Sequence, residues 1–151
     1  MLVQTRYFGE INLSEDKIIS LERGLIGFDE YKRFTLLYDN EKEERPAISW
    51  LQSLDEPSLA LPVVSPLLVK PDYKPVVEDE LLMNIGELTE ENIIILLTLT
   101  VPENIKDMTA NLKAPIIINS DTRKGVQLIV ENQDYEVKYN AYKVLKERKG
   151  E

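Results

Sequence analysis

Neighbouring carboxylates are the residues of this chain whose type and spacing come nearest to a catalytic arrangement. They occur as Asp39 with Glu41, Glu43 with Glu44, Asp55 with Glu56, and Glu78 with Glu80. A hydrolase of the glycosidase type needs two carboxylates from separate elements facing one cleft, one of them in an apolar pocket that raises its pKa. Every pair here is close in sequence and lies among other charges, which favours a solvated surface. A carboxylate-based hydrolase stays open as an alternative function.

Cysteine and histidine are both absent from the 151 residues. Disulfides, thiolate catalysis, Ser-His-Asp chemistry and metal sites built from Cys or His are therefore excluded. No stretch supplies the alternating ligands and central glycine of a calcium loop. The one glycine-rich piece, residues 24–28, lacks dinucleotide or P-loop spacing and predicts a tight turn around buried Leu25 and Phe28. We expect no enzyme activity, no metal and no cofactor.

The charge of the chain points toward a protein partner. With 27 acidic and 18 basic residues its formal net charge is −9, which opposes binding to phosphate backbones but is also a common means of staying soluble. Residues 78–91 hold six carboxylates and no Lys or Arg. They form either a solvated face or an electrostatic docking face for a basic protein. A nucleic-acid-binding β-barrel is a further alternative, because Tyr135, Tyr139 and Tyr142 lie near a basic C-terminal cluster and could stack on bases.

Short apolar segments separated by turns predict the elements that must position these residues. Nine candidate strands have the length and alternation of half-buried or buried strands. They are residues 2–8, 18–21, 34–38, 48–52, 59–64, 93–101, 115–118, 126–130 and 135–139. The pattern predicts a mainly β fold, a compact antiparallel β-barrel-like single domain with one or two short helices.

The remaining segments complete this prediction. Residues 78–86 predict a short helix and residues 139–149 a frayed one, while the prolines of 66–75 predict an irregular extended excursion. We expect one domain over residues 1–143 and a flexible or frayed helical tail over 144–151. Residues 1–10 lack the apolar region of a signal peptide, and the longest apolar stretch is too short to span a membrane. We therefore expect a cytoplasmic protein.

The stretch from Asn111 to Asn119 predicts a strand buried on both faces. Pro115 can begin the strand because its missing N–H is tolerated there, and three isoleucines follow it. The two asparagines mark its ends. We expect Asn111, Lys113 and Ala114 to lie in an exposed approach that meets a partner, and Trp50 to belong to the core.

Four segments together resemble the FliW family of flagellar assembly factors. They are MLVQTRYF at 1–8 with its following glycine, GLIGF at 24–28, LQSLDEPSLA at 51–60 and TANLKAPIIIN at 109–119. They span almost the whole chain in the family's order, although the family more commonly has proline where this chain has Ile26. The resemblance implies a non-enzymatic regulator that binds the RNA-binding translational repressor CsrA and also flagellin. It implies release of repression on flagellin mRNA, and a coupling of flagellin synthesis to export.

The expected partner-binding residues combine this resemblance with the charge pattern. They are Asp55, Glu56, Glu78, Asp79, Glu80, Asn111, Lys113 and Ala114. We expect no catalytic residue, no direct contact with nucleic acid or membrane, and no small-molecule substrate.

Overall fold

The structure, a computed structural model, describes residues 1–38 and 48–142. The strands are β1 Leu2–Gln4, β2 Glu10–Asn12, β3 Ile19–Leu21, β4 Arg33–Leu37, β5 Ile48–Ser53, β6 Ala60–Val64, β7 Ile93–Thr100, β8 Thr109–Ala110, β9 Ile116–Asn119, β10 Lys124–Gln127 and β11 Tyr139–Asn140. The helix α1 covers Pro66–Val69, and 3-10 helices cover Glu15–Lys17, Asp79–Ile85 and Ile105–Asp107. The carboxylates at 39, 41, 43 and 44 and the expected tail at 144–151 lie outside the described residues.

Seven strands close into a barrel. Their order is β7-β6-β5-β4-β3-β10-β9, and β9 returns to pair with β7. Six of these pairings are antiparallel, while β3 and β10 are parallel, with Leu21 opposite Gly125. The expected mainly β, barrel-like single domain is confirmed, and the parallel pair is a feature that the sequence pattern does not indicate.

Two hydrophobic cores lie on opposite sides of the barrel wall. The inner core includes Phe34, Leu51, Ile116 and Ile118. The outer core covers the other face of the same wall and includes Ile117. The isoleucine run is therefore buried on both faces, as its sequence predicts.

Additional elements cover the outside of the barrel. The loop that joins β1 to β2 contains Arg6 and Tyr7. The backbone N–H of Arg6 donates to Gln52 Oε1 at 2.9 Å, and the ring centroids of Tyr7 and Trp50 lie 4.4 Å apart. Trp50 is thus half-buried beneath an aromatic neighbour on the outer surface of β5.

Several expected elements differ from the structure. The helix expected at 78–86 is a 3-10 helix, and residues 66–75 contain α1 rather than a wholly extended excursion. Tyr139–Asn140 is a strand instead of the beginning of a helix, because it pairs with Thr109–Ala110. The strand expected at 135–139 forms only at its last residue, and the strand expected at 2–8 ends at Gln4.

Among the residues described, no helix has the length and apolar character needed to cross a membrane.

Candidate partner-binding surfaces

The acidic 3-10 helix is attached to the barrel through its apolar side chains. Ile85 is buried in the outer core, and half-buried Leu81 and Leu82 pack against it. Glu78, Asp79 and Glu80 are exposed at the start of the helix. Within the described ranges, none of these three carboxylates lies within 4.0 Å of a Lys or Arg nitrogen. Their charge therefore points to solvent.

A buried amide holds the segment that follows this helix. Asn119, at the end of β9, donates through Nδ2 to the carbonyl oxygens of Ile85 at 2.9 Å and Glu87 at 3.1 Å. Its Oδ1 accepts from the backbone N–H groups of Asp121 and Thr122 at 2.9 and 3.2 Å. Asn119 thus joins the acidic segment to the β9–β10 turn.

A second amide extends this connection. Asn92 donates through Nδ2 to the carbonyl oxygen of Glu87 at 2.9 Å and to Asp121 Oδ2 at 3.1 Å. Its Oδ1 accepts from the backbone N–H of Thr89 at 2.7 Å. The exposed carboxylates of Glu87, Glu90 and Glu91 lie on this fixed loop. We call the carboxylates of Glu78, Asp79, Glu80, Glu87, Glu90 and Glu91 the acidic face.

Gly86 permits the close approach that the connection needs. Its φ is +90°, and a Cβ there would lie 2.9 Å from Thr122 Cγ2 and 3.2 Å from Asn119 Nδ2. The hydroxyl of Thr122 also donates to the Ile85 carbonyl at 2.8 Å. The acidic face therefore rests on a backbone that is anchored at several points.

Asp55 lies in a different environment, in the turn between β5 and β6. Its Oδ2 accepts from the backbone N–H groups of Lys32 and Arg33 at 3.0 and 3.1 Å, and Arg33 Nη2 lies 2.9 Å from its Oδ1. Partial desolvation raises the pKa of Asp55, but these hydrogen bonds and the Arg33 charge outweigh it and hold the pKa below its ordinary value. A lowered pKa is the opposite of what a general acid needs, and the Arg33 charge offsets the carboxylate.

The LQSLDEPSLA segment owes its shape to internal hydrogen bonds. Gln52 is buried, and its Nε2 donates to the carbonyl oxygen of Pro57 at 3.0 Å. Ser53 Oγ accepts from the backbone N–H groups of Asp55 and Glu56. Glu56 Oε2 in turn accepts from the Ser58 hydroxyl at 3.0 Å. Asp55 and Glu56 therefore help to form the turn, and their role in partner binding stays a prediction.

Asn111 organises the approach to β9. Its Oδ1 accepts from the backbone N–H groups of Lys113 and Ala114 at 3.0 and 3.1 Å, which forms an Asx turn. Lys113 is half-buried and its Nζ donates to the Asn132 carbonyl at 2.6 Å. Ala114 is only 5% exposed, so its expected exposure is wrong. It is buried because the Asx turn brings the chain inward one residue before Pro115.

The Gly24–Phe28 piece is a tight turn, as predicted, but only one of its two apolar ends is buried. Phe28 N–H donates to the Leu25 carbonyl at 2.8 Å, and Gly27 has a φ of +89°, the arrangement of a type II turn. Leu25 is buried, whereas Phe28 is 38% exposed. Ile26 N–H donates to Gln127 Oε1 at 2.8 Å, which ties the turn to the end of β10.

The carboxylates of the described residues lie in separate groups with different anchors. In the part of the chain that the structure describes, no group of three or more acidic side chains is arranged to hold a metal ion. The contacts of Asp55 lie at the start of β4, whereas those of the acidic face lie at the β9–β10 turn. The two carboxylate groups are thus anchored on different parts of the barrel.

Sequence reasoning missed the roles of Asn92 and Thr122. Asn92 stands alone before an apolar run, a position that is typical of a strand boundary and does not reveal its partners. Asn119 ends its strand, as the sequence predicts, but its hydrogen bonds to residues 85 and 87 cross more than 30 positions of sequence. No local pattern indicates such contacts.

Proteins similar to this chain match it over nearly its whole length, including the barrel, the acidic face and the Asp55 turn. A family model described as FliW protein matches residues 2–141. The chain is 54% identical over 151 residues to the flagellar assembly factor FliW of Lachnospira eligens, which covers 99% of this chain and 100% of that protein. It is 52% identical over 148 residues to that of Lachnoclostridium phytofermentans, covering 98% and 95% respectively. A crystal structure of the flagellar assembly factor FliW superimposes with a TM-score of 0.84 at 33% identity, covering 94% of this chain and 97% of that one.

Proposed function

The chain belongs to the FliW family, and from that membership we propose that it is a flagellar assembly factor that acts by binding other proteins. The relatives that it matches over essentially their full length are named flagellar assembly factors. A regulator of this kind needs fixed surfaces and no reactive group. The absence of Cys and His from the sequence agrees with this requirement.

The proposed partners are a CsrA-type translational repressor and flagellin. Binding of the repressor would free flagellin mRNA for translation, and binding of flagellin would return the repressor to its message. The cytoplasm is the proposed location, because the repressor and its mRNA meet there.

The exposed and anchored acidic face is the observation that carries this proposal. A protein that holds RNA presents Lys and Arg to phosphate groups. A surface of opposite charge accelerates association with such a protein and disfavours acidic competitors. Because Asn119 and Asn92 hold the backbone at residues 85 and 87, between the two groups of carboxylates, this part of the segment needs little ordering on binding.

Repulsion of RNA is the proposed mechanism of release. Carboxylates docked beside the repressor's basic surface place a negative potential where the phosphates of the message would lie. Glu78, Asp79 and Glu80 are the residues assigned to this role. Asp55 would contribute less, since Arg33 offsets its charge.

Charge reversal tests the assignment. The triple variant Glu78→Lys, Asp79→Lys, Glu80→Lys should bind a purified CsrA-type repressor about tenfold or more weakly at low salt, with a smaller difference at high salt. Affinity is measured by calorimetry over a salt series. Glu10→Lys, Glu15→Lys, Asp16→Lys is the control, because it changes net charge equally at other exposed positions. Equal affinity of the site variant and the native chain at low salt would sink the assignment.

The Asn111 turn is the proposed second contact region. Asn111→Ala removes the acceptor for two backbone N–H groups. If the variant keeps its unfolding free energy but loses flagellin or repressor binding, the turn is part of an interface. If it unfolds more easily and the folded fraction binds normally, the role of Asn111 is structural.

A further inference from the structure

Met83 is the most exposed large hydrophobic side chain among the described residues. It is 74% exposed and lies in the acidic 3-10 helix, between the half-buried Leu82 and the buried Ile85. The neighbouring apolar residues of the helix pack against the outer core, whereas Met83 points away from it. The fold therefore does not account for an apolar side chain at this position.

The other two methionines differ from Met83 in environment. Met108 is 4% exposed and belongs to the outer core, and Met1 is 45% exposed at the amino end of β1. The chain has no cysteine. A two-electron oxidant such as hydrogen peroxide therefore finds no thiol to react with in this chain. The thioether of Met83 is the sulfur atom most exposed to it.

We propose that Met83 is a reversible oxidation site, and that its oxidation by peroxide weakens docking of the basic partner at the acidic face. The sulfur lone pair attacks one peroxide oxygen, the O–O bond breaks, and the sulfoxide and one water molecule are formed. Sulfur loses two electrons and peroxide gains them. A thiol-dependent methionine sulfoxide reductase reverses the change.

The docking effect follows from the change of polarity. Methionine is flexible and polarisable and suits apolar contacts at binding surfaces, whereas the sulfoxide is polar and carries a strong acceptor oxygen. In the sequence Met83 lies between the exposed carboxylates of residues 78–80 and those of 87–91, so it can supply an apolar contact beside charged ones. The fold itself should tolerate oxidation, because the side chain packs little. This part of the inference rests on the proposed function.

Peptide mapping tests the modification. The folded chain is treated with hydrogen peroxide, sampled over time, and the oxidation of Met1, Met83 and Met108 is followed by mass spectrometry. We expect Met83 to be oxidised about tenfold or more faster than Met108, in keeping with its exposure. Equal rates at the two residues in the folded chain would refute the site.

Binding measurements test the consequence. Oxidised native chain should bind a purified CsrA-type repressor about tenfold more weakly than reduced chain, a loss of about 1.4 kcal/mol, and treatment with the reductase should restore it. Met83→Leu keeps an apolar side chain that cannot be oxidised, so it should bind equally before and after peroxide. Met83→Gln should imitate the oxidised chain without peroxide.

The outcomes separate this inference from the proposed function. If reduced native chain binds the repressor and oxidation at Met83 leaves affinity unchanged, the docking effect is refuted and the function stands. If native chain and Met83→Leu lose affinity equally, the effect lies at another residue and the inference is refuted. If reduced native chain does not bind the repressor at all, the proposed function fails and the docking role of Met83 fails with it.

Discussion

The buried side-chain amide of Asn119 fixes the backbone of the acidic segment at Ile85 and Glu87. Asn119 satisfies two carbonyl oxygens of the acidic segment and two N–H groups of its own turn. A carboxylate of the same size could accept from the turn but could not donate to the segment. The identity of this residue therefore matters more than its polarity.

Removing this amide should destabilise the chain. We expect Asn119→Ala to lower the free energy of unfolding by about 2–4 kcal/mol, because buried polar groups lose their partners. Urea unfolding followed by fluorescence measures the change. Asn84→Ala, at an exposed position of the same segment, should alter it by no more than about 0.5 kcal/mol. Similar losses in the two variants would contradict the role given to Asn119.

The Asp55 carboxylate predicts a pH dependence. Because its folded-state pKa is lowered, its contribution to stability is complete above the unfolded pKa of about 3.9 and disappears as pH falls through the folded value. Asp55→Asn should therefore be less stable than the native chain at pH 7, and the two should converge in acid. Urea unfolding at a series of pH values checks this. Glu103→Gln, an exposed change, is the control, and a difference for Asp55→Asn that does not vary with pH would disprove the expectation.

At the scale of elements, the Gly24–Phe28 turn contains two glycines, and a side chain is excluded at each of them for a different reason. Both have positive φ, +66° at Gly24 and +89° at Gly27. A Cβ on Gly24 would lie 2.5 Å from the Asp29 Cα, whereas a Cβ on Gly27 meets nothing within 4 Å. Gly24 is needed for space and conformation, and Gly27 for conformation alone.

This difference predicts unequal effects of alanine. Gly27→Ala should reduce the free energy of unfolding by about 1 kcal/mol, the cost of the left-handed conformation, and Gly24→Ala by more than about 2 kcal/mol, because a backbone clash is added. Thermal and urea unfolding measure both variants. Equal losses would show that the turn relaxes around the new Cβ.

The sequence predicts elements where local pattern and burial agree. The isoleucines of β9 are identified correctly because β-branched residues buried on both faces leave a continuous apolar run. The strands β8 and β11 have two residues each, too few for a period to appear. The sequence does not indicate the burial of Ala114, because that burial depends on an Asx turn that begins three residues earlier. The connection through Asn119 was missed because its partners are far away in sequence.

At the scale of the whole molecule, the parallel pair of β3 and β10 completes the barrel wall. Gly125 lies opposite Leu21, and a Cβ on it would lie 2.8 Å from Leu21 Cδ2, 3.0 Å from Ile118 Cγ1 and 3.1 Å from the Ile117 carbonyl oxygen. The wall can close here because this residue has no side chain. Space, rather than backbone conformation, is the requirement.

Filling this space should weaken the barrel. We expect Gly125→Ala to lower the free energy of unfolding by about 1–3 kcal/mol through overpacking. Lys124 is the exposed neighbour of Gly125, and its Nζ lies 3.8 Å from Glu22 Oε1. Lys124→Ala should change the free energy of unfolding by about 0.5 kcal/mol or less. Chemical unfolding of both variants provides the comparison. A neutral result for Gly125→Ala would mean that Leu21 and Ile118 move apart at little cost.

The parallel pairing of β3 with β10 limits how early the barrel can close while the chain is being synthesised. Its two strands lie about 100 residues apart, so at roughly 5–20 residues per second the ribosome needs about 5–20 seconds to supply the second after the first. Until then the inner surface of β3 to β6 has no complete wall against which to pack. The nascent chain thus carries open strand edges for most of its translation, because the barrel can close only after β9 and β10, in the last quarter of the sequence, have been made.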